Sequence, residues 1–134
     1  MDGLTSWFEY VAKNSDDIFE AFLQHVQIVL VVIGLATVFS VTLGIIVQRN
    51  ASARALALSI AGIFLTIPSL ALFAIFIPIL GIGNAPAMAA LFLYAILPIL
   101  RNTVTGLDEV DPAVVESARG MGMGSTQQLI RVKL

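Results

Sequence analysis

The sequence predicts an all-α membrane protein with three transmembrane helices and one surface loop, on three observations. Of its residues 58% are hydrophobic and only 12% charged, with a mean hydropathy of +0.95. A soluble domain is roughly half apolar and about a quarter charged. The apolar residues form three blocks, at about 23–47, 55–80 and 86–100, the last extending to 105 if a helix continues past Pro98. The charged residues gather at the ends of those blocks rather than inside them.

Residues 1–22 form an acidic lead-in, with Asp2, Glu9, Asp16, Asp17 and Glu20 against Lys13. Trp7, Phe8, Tyr10 and Val11 alternate with polar groups, and Ile18, Phe19 and Phe22 follow at helical spacing. This pattern reads as an amphipathic segment lying at headgroup level on the extracytoplasmic side, a soluble arm that binds a partner being the competing reading. No basic stretch precedes an apolar run here, so the start does not read as a cleaved signal peptide. His25 stands alone at the membrane edge and reads as a polar helix-end residue.

The first block holds about 25 residues, which at 1.5 Å each reach about 37 Å, enough to cross a hydrocarbon core of about 30 Å. Thr37, Ser40, Gly44 and Gln48 fall on one face, a stripe of small and polar residues that lets helices approach closely. The same stripe also suits a wall of a solute pathway. Arg49 and Arg54 mark the polar turn that follows. In the second block Ser59, Gly62, Thr66 and Ser69 make another single-face stripe, with Pro68 in the middle. Proline removes one helical hydrogen bond and crowds the preceding turn, so a break is expected near Thr66 and Ile67. Such breaks line cavities in membrane proteins, and Ser59, Thr66, Pro68 and Ser69 are the candidate pathway residues. Thr66 or Ser69 is expected to satisfy the carbonyl freed there. A breaker-rich turn, Gly81 to Pro86, leads into the third block, which ends at Arg101 and Asn102.

Residues 106–134 are too polar to span. Asp111 is a good N-cap, and Pro112 suits the first helical position, so a helix is expected from Pro112 to about Arg119. Gly120, Gly122 and Gly124 are expected to stop it, each able to take positive φ. Ser125 and Gln128 read as a capping box opening a second short helix.

Within this segment Glu116-Ser117-Ala118, then Gly122, then Val132 and Leu134, resembles the EAA loop of ABC-importer permeases. That motif reads Glu-Ala-Ala, three residues, Gly, nine residues, Ile, one residue, Leu-Pro. Ser117 replaces the first Ala and Val132 the Ile, and the sequence ends at Leu134, just before the motif's Pro. Ile67-Pro68-Ser69-Leu70-Ala71-Leu72 and Leu97-Pro98-Ile99-Leu100-Arg101-Asn102-Thr103 are similar to the branch that imports glycine betaine, carnitine and choline. The resemblance covers roughly residues 23–134.

It implies a type I ABC-importer permease fold in the cell's inner membrane, with the loop cytoplasmic and its first helix docked on an ATP-binding subunit. Carried over to this chain, the coupling residues are Asp111, Pro112, Glu116, Ser117, Ala118, Gly120 and Gly122. The implied partners are that ATPase subunit, a second permease subunit and an extracytoplasmic solute-binding protein, besides membrane lipid. Family permeases have further spans after this loop, so the chain is expected to be an N-terminal portion.

Orientation is read independently from the Lys and Arg placement. With the N-terminus outside, Arg49, Arg54, Arg101, Arg119, Arg131 and Lys133 lie inside and only Lys13 outside. The sequence contains no Gly-x-x-x-x-Gly-Lys-Ser/Thr loop, no Ser/His/Asp set, no metal-ligand spacing, no cysteine and no carboxylate within a span. Neither catalysis, a cofactor, a metal nor nucleic-acid binding is expected of it. The rival reading is a small membrane anchor that docks a soluble partner through the same loop.

Overall fold

The computed structural model describes residues 2–133, with side chains described over residues 6–132. The charges counted at Asp2 and Lys133 and the motif residue Leu134 fall outside that description. Helix follows helix along the chain: α1 Asp2–Lys13, α2 Ser15–Val47, α3 Ala51–Thr66, α4 Ser69–Leu80, α5 Asn84–Asp108, α6 Pro112–Gly120 and α7 Ser125–Gln128. A π-helical turn, Leu129–Lys133, continues from α7.

Asn14 interrupts the first two helices with φ −109° and ψ 24°, its side-chain amide donating to the Tyr10 carbonyl at 2.7 Å. The 33 residues of α2 extend to about 50 Å, well beyond a hydrocarbon core of about 30 Å. The acidic and aromatic residues after Asn14 therefore continue the first apolar block as one helix. Asn50 caps α3, its side-chain oxygen accepting from the Ser52 and Ala53 amides at 3.0 and 3.1 Å.

By length and composition α2 and α5 can each cross a membrane, and α3 with α4 makes a third span if the bent pair counts as one. The bend between them is 97°, far sharper than a proline kink within a continuous helix. It separates two helices, α3 ending at Thr66 and α4 beginning at Ser69. Pro98 has no such effect, since α5 stays helical through it to Asp108.

The core is small and centred on α5, where Ile96, Leu100 and Val104 meet Val47 of α2 and Ala61 of α3. On α2 the buried face is Val32, Ala36, Ser40, Gly44 and Val47, at the spacing of one helix side. Ser40 and Gly44 thus belong to helix packing, while Thr37 lies on the exposed side. At Gly44 the helices come so close that a Cβ would lie 2.8 Å from Thr103 Cγ2. Outward apolar residues such as Leu30, Val38 and Ile46 stay exposed, as expected where the surrounding solvent is hydrocarbon.

Candidate functional site

The glycine-punctuated segment folds as a capped helix with an abrupt end. Asp111 accepts from the Ala113 amide at 2.8 Å, and Pro112 occupies the first turn, where no amide hydrogen is required. At the far end Gly122 donates to the Arg119 carbonyl at 3.0 Å and Met123 donates to that of Ala118 at 3.1 Å. These two bonds, with Gly122 at φ +80°, make a Schellman ending. The left-handed residue is Gly122 alone in this segment. Gly120 remains inside α6, and Gly124 has φ −67°, so neither does the stopping expected of all three.

The expected capping box does not form. Gly124 rather than Ser125 sits at the N-cap of α7, and the Gln128 side chain reaches past it to donate to the Met123 carbonyl at 2.7 Å. Because Ser125 already has helical geometry, its hydroxyl is not placed to close the reciprocal pair.

Along α6 the motif positions divide by face. Ala118 is 1% exposed, which leaves room for a small side chain only. Glu116 and Ser117 are exposed, and the Ser117 hydroxyl bonds back to the Ala113 carbonyl at 2.7 Å. That bond lets serine replace alanine without presenting an unpaired hydroxyl. Val114 and Met121, seven residues apart, are 51% and 70% exposed and share one side of the helix. Two large apolar side chains are thereby presented outward, one on the helix and one at its C-cap.

The ends of the long helices meet this segment. Arg54 of α3 forms an ion pair with Asp108, the last residue of α5. A cavity of about 440 Å³ lies beside that pair, between the end of α2, the end of α5, α6 and α7. No motif marks this junction in the sequence, although opposite charges at the ends of successive spans are the pattern to look for.

The second candidate region is the α3–α4 break. Ile67 is extended, with φ −79° and ψ 129°, and its amide reaches only Phe64, at 3.3 Å. Thr66 donates its hydroxyl to the Ile63 carbonyl at 2.7 Å. The Ile67 carbonyl is taken by the hydroxyl of Tyr94, from the middle of α5. Tyr94 is absent from the candidates that spacing picks out, yet a lone phenol within an apolar block needs a partner, and that is the available signal. Ser59, Thr66, Pro68 and Ser69 are all exposed on this chain, and Gly62 is half-buried. Among the described residues no group of His, Cys, Asp and Glu could hold a metal.

Bundled apolar helices, two of them long enough to cross a membrane, together with a capped loop helix define a polytopic membrane protein. Residues 36–134 match the family described as binding-protein-dependent transport system inner membrane component, and the chain belongs to that family. It is 37% identical over 126 residues to the choline transport system permease protein OpuBB of Bacillus subtilis, covering 94% of this chain and 58% of that protein. It is 37% identical over 134 residues to the carnitine transport permease protein OpuCB of Listeria monocytogenes, covering 100% of this chain and 60% of that one. Identity to the glycine betaine/carnitine/choline transport system permease protein OpuCB of Bacillus subtilis is 36% over 125 residues, 93% of this chain and 58% of that one. The chain therefore spans somewhat under two thirds of the length of these relatives. No solved structure matches it.

Proposed function

We propose that this chain serves as permease subunit of an ATP-driven importer for compatible solutes, the class being quaternary amines such as choline, carnitine or glycine betaine. The family membership and the names of the relatives support the transport role. The observation that carries the mechanism is α6, held rigid by Asp111 at one end and Gly122 at the other, with Val114 and Met121 uncovered. Such a helix suits docking on an ATP-binding subunit, with Glu116, Ser117 and Ala118 along it and Gly122, at its end, supplying the motif's glycine, while Gly120 closes its last turn.

The chemistry is mechanical, since hydrolysis occurs on the separate ATPase subunit. Closure of that subunit displaces α6, and the Arg54–Asp108 pair joins the root of the loop to α3. A rigid element moved at one end transmits the displacement to the spans. Ser59, Thr66, Pro68 and Ser69, exposed before and after the break, are proposed to face the solute route. A second permease subunit would close that route, and an extracytoplasmic binding protein would deliver solute to it. The loop is assigned to the cytoplasm and the N-terminus to the outside.

Reconstitution tests this reading. The full-length permease, with its ATPase and binding protein in vesicles, is expected to accumulate at least one radiolabelled quaternary amine only when ATP is supplied. Absence of accumulation for choline, carnitine and glycine betaine alike, from a correctly inserted complex, would overturn the substrate class.

A further inference from the structure

The cavity where α6 and α7 meet the ends of α2 and α5 is lined by Gln48, Arg49, Asp108, Arg119, Ser125 and Gln128, among others, and has a volume of about 440 Å³. Ligand pockets begin at about 300 Å³, so a small polar group has room. Its charge is one-sided. Asp108 is already paired with Arg54, whereas neither Arg49 nor Arg119 makes an ion pair or side-chain hydrogen bond among the described residues. Both glutamine amides are engaged elsewhere, Gln48 donating to the Ile45 carbonyl at 3.1 Å and Gln128 to that of Met123 at 2.7 Å.

What remains for a ligand is two guanidinium forks on one cavity. We propose that this cavity is a binding site for a phosphate-bearing anion, held between Arg49 at the end of α2 and Arg119 at the end of α6. A carboxylate offers two oxygens and saturates one fork, whereas a phosphate offers more acceptors and can engage both. The position fits as well: Arg49 lies two residues past Val47, so the cavity is at the end of a helix long and apolar enough to cross a membrane. Basic pockets at the ends of membrane helices hold phospholipid headgroups, and a soluble phosphate compound presents the same chemistry. An occupant would tie the end of α2 to α6, stiffening the junction between spans and loop. The site does not depend on the importer reading, since its test measures binding and not transport.

The full-length protein in detergent would be titrated separately with short-chain phosphatidylglycerol and with inorganic phosphate, binding being followed by native mass spectrometry and thermal midpoint. Saturable binding of the lipid alone identifies a headgroup site, and saturable binding of phosphate identifies a site for soluble phosphate compounds. In either case Arg49→Gln with Arg119→Gln is expected to weaken binding by about tenfold or more, equivalent to about 1.4 kcal/mol. Arg49→Lys with Arg119→Lys keeps the charge but loses the forks, and is expected to fall between; it also serves if the glutamine pair does not fold. Arg54→Gln, which frees the Asp108 carboxylate on the same wall, is expected to weaken binding too. Arg101→Gln removes an equal charge elsewhere on α5 and is expected to bind as wild type. Failure of both probes to bind would overturn the site, as would equal affinity in the arginine variants or an equal loss in Arg101→Gln.

Discussion

At the residue scale the two informative glycines are constrained by different physics. Gly122 is held at φ +80° with nothing within 4 Å of the place a Cβ would take, so the cost of substitution there is backbone strain and not a clash. A non-glycine residue at such φ costs about 1 kcal/mol or more, and a β-branched one more still. Gly122→Val is therefore expected to leave membrane insertion intact while reducing ATPase co-purification or uncoupling hydrolysis from uptake. Gly120→Ala and Gly124→Ala meet neither strain nor contact and are expected to be near wild type in the same assays. Gly44 is the opposite case. Its φ is ordinary, but an added Cβ would lie 2.8 Å from Thr103 Cγ2 and 3.2 Å from Thr103 Cβ. Thr103 cannot easily rotate away, because its hydroxyl donates to the Ile99 carbonyl at 2.8 Å. Gly44→Leu is expected to lower stability by about 1 to 3 kcal/mol, the range for overpacking, measured as a drop in thermal midpoint of the purified protein. Thr103→Ser removes Cγ2, keeps the hydroxyl, and is expected to recover part of the loss in the milder Gly44→Ala.

Among the elements, the α3–α4 break shows how far local sequence chemistry reaches. Pro68 and Thr66 announce a break and one of its caps, because proline's missing donor and threonine's reach to a nearby carbonyl are local effects. Neither announces a 97° turn, nor that Tyr94 of another helix takes the Ile67 carbonyl, since both depend on how the helices pack. The α6 corner repeats the lesson. Asp111 and Pro112 mark the helix start, but three glycines in alternation conceal which one carries the left-handed turn. Ser125 and Gln128 match the spelling of a capping box, yet the Schellman ending sets the chain's exit so that Gly124 takes the cap position. In hydrocarbon an unsatisfied carbonyl costs several kcal/mol, so the Tyr94 hydroxyl ought to matter more than its one bond suggests. Tyr94→Phe is expected to change the uptake KM or maximal rate by several-fold without loss of inserted protein. Pro68→Ala, by restoring a donor at the break, is expected to straighten the pair and alter uptake more strongly. Wild-type uptake by both variants would reduce the break to packing.

For the whole molecule, the distribution of charge is the ground on which the loop is proposed to be cytoplasmic. Arg49, Arg54 and Arg119 come to one end of the bundle, around Asp108 and the cavity beneath α6, while Lys13 lies at the end of α1, before the long helix α2 begins. Positively charged loops are retained in the cytoplasm, and the bias counts Lys and Arg near span ends rather than net charge. Turning the molecule over would put those three arginines outside and leave Lys13 inside, against the bias. The fold adds a second constraint. Ser125 lines the cavity at the end of α2, whereas Asn14 caps the start of α2, so the two residues lie at opposite ends of that long helix. Single cysteines introduced into this cysteine-free sequence discriminate the two orientations. Asn14→Cys is expected to react with an impermeant thiol reagent in intact cells, and Ser125→Cys only after the membrane is permeabilised. Reaction of both in intact cells, or of neither, would mean that α2 does not cross the membrane between them. The reverse pattern would place α6 outside the cell, where no ATPase subunit could reach it, and the proposed coupling role would fail with it.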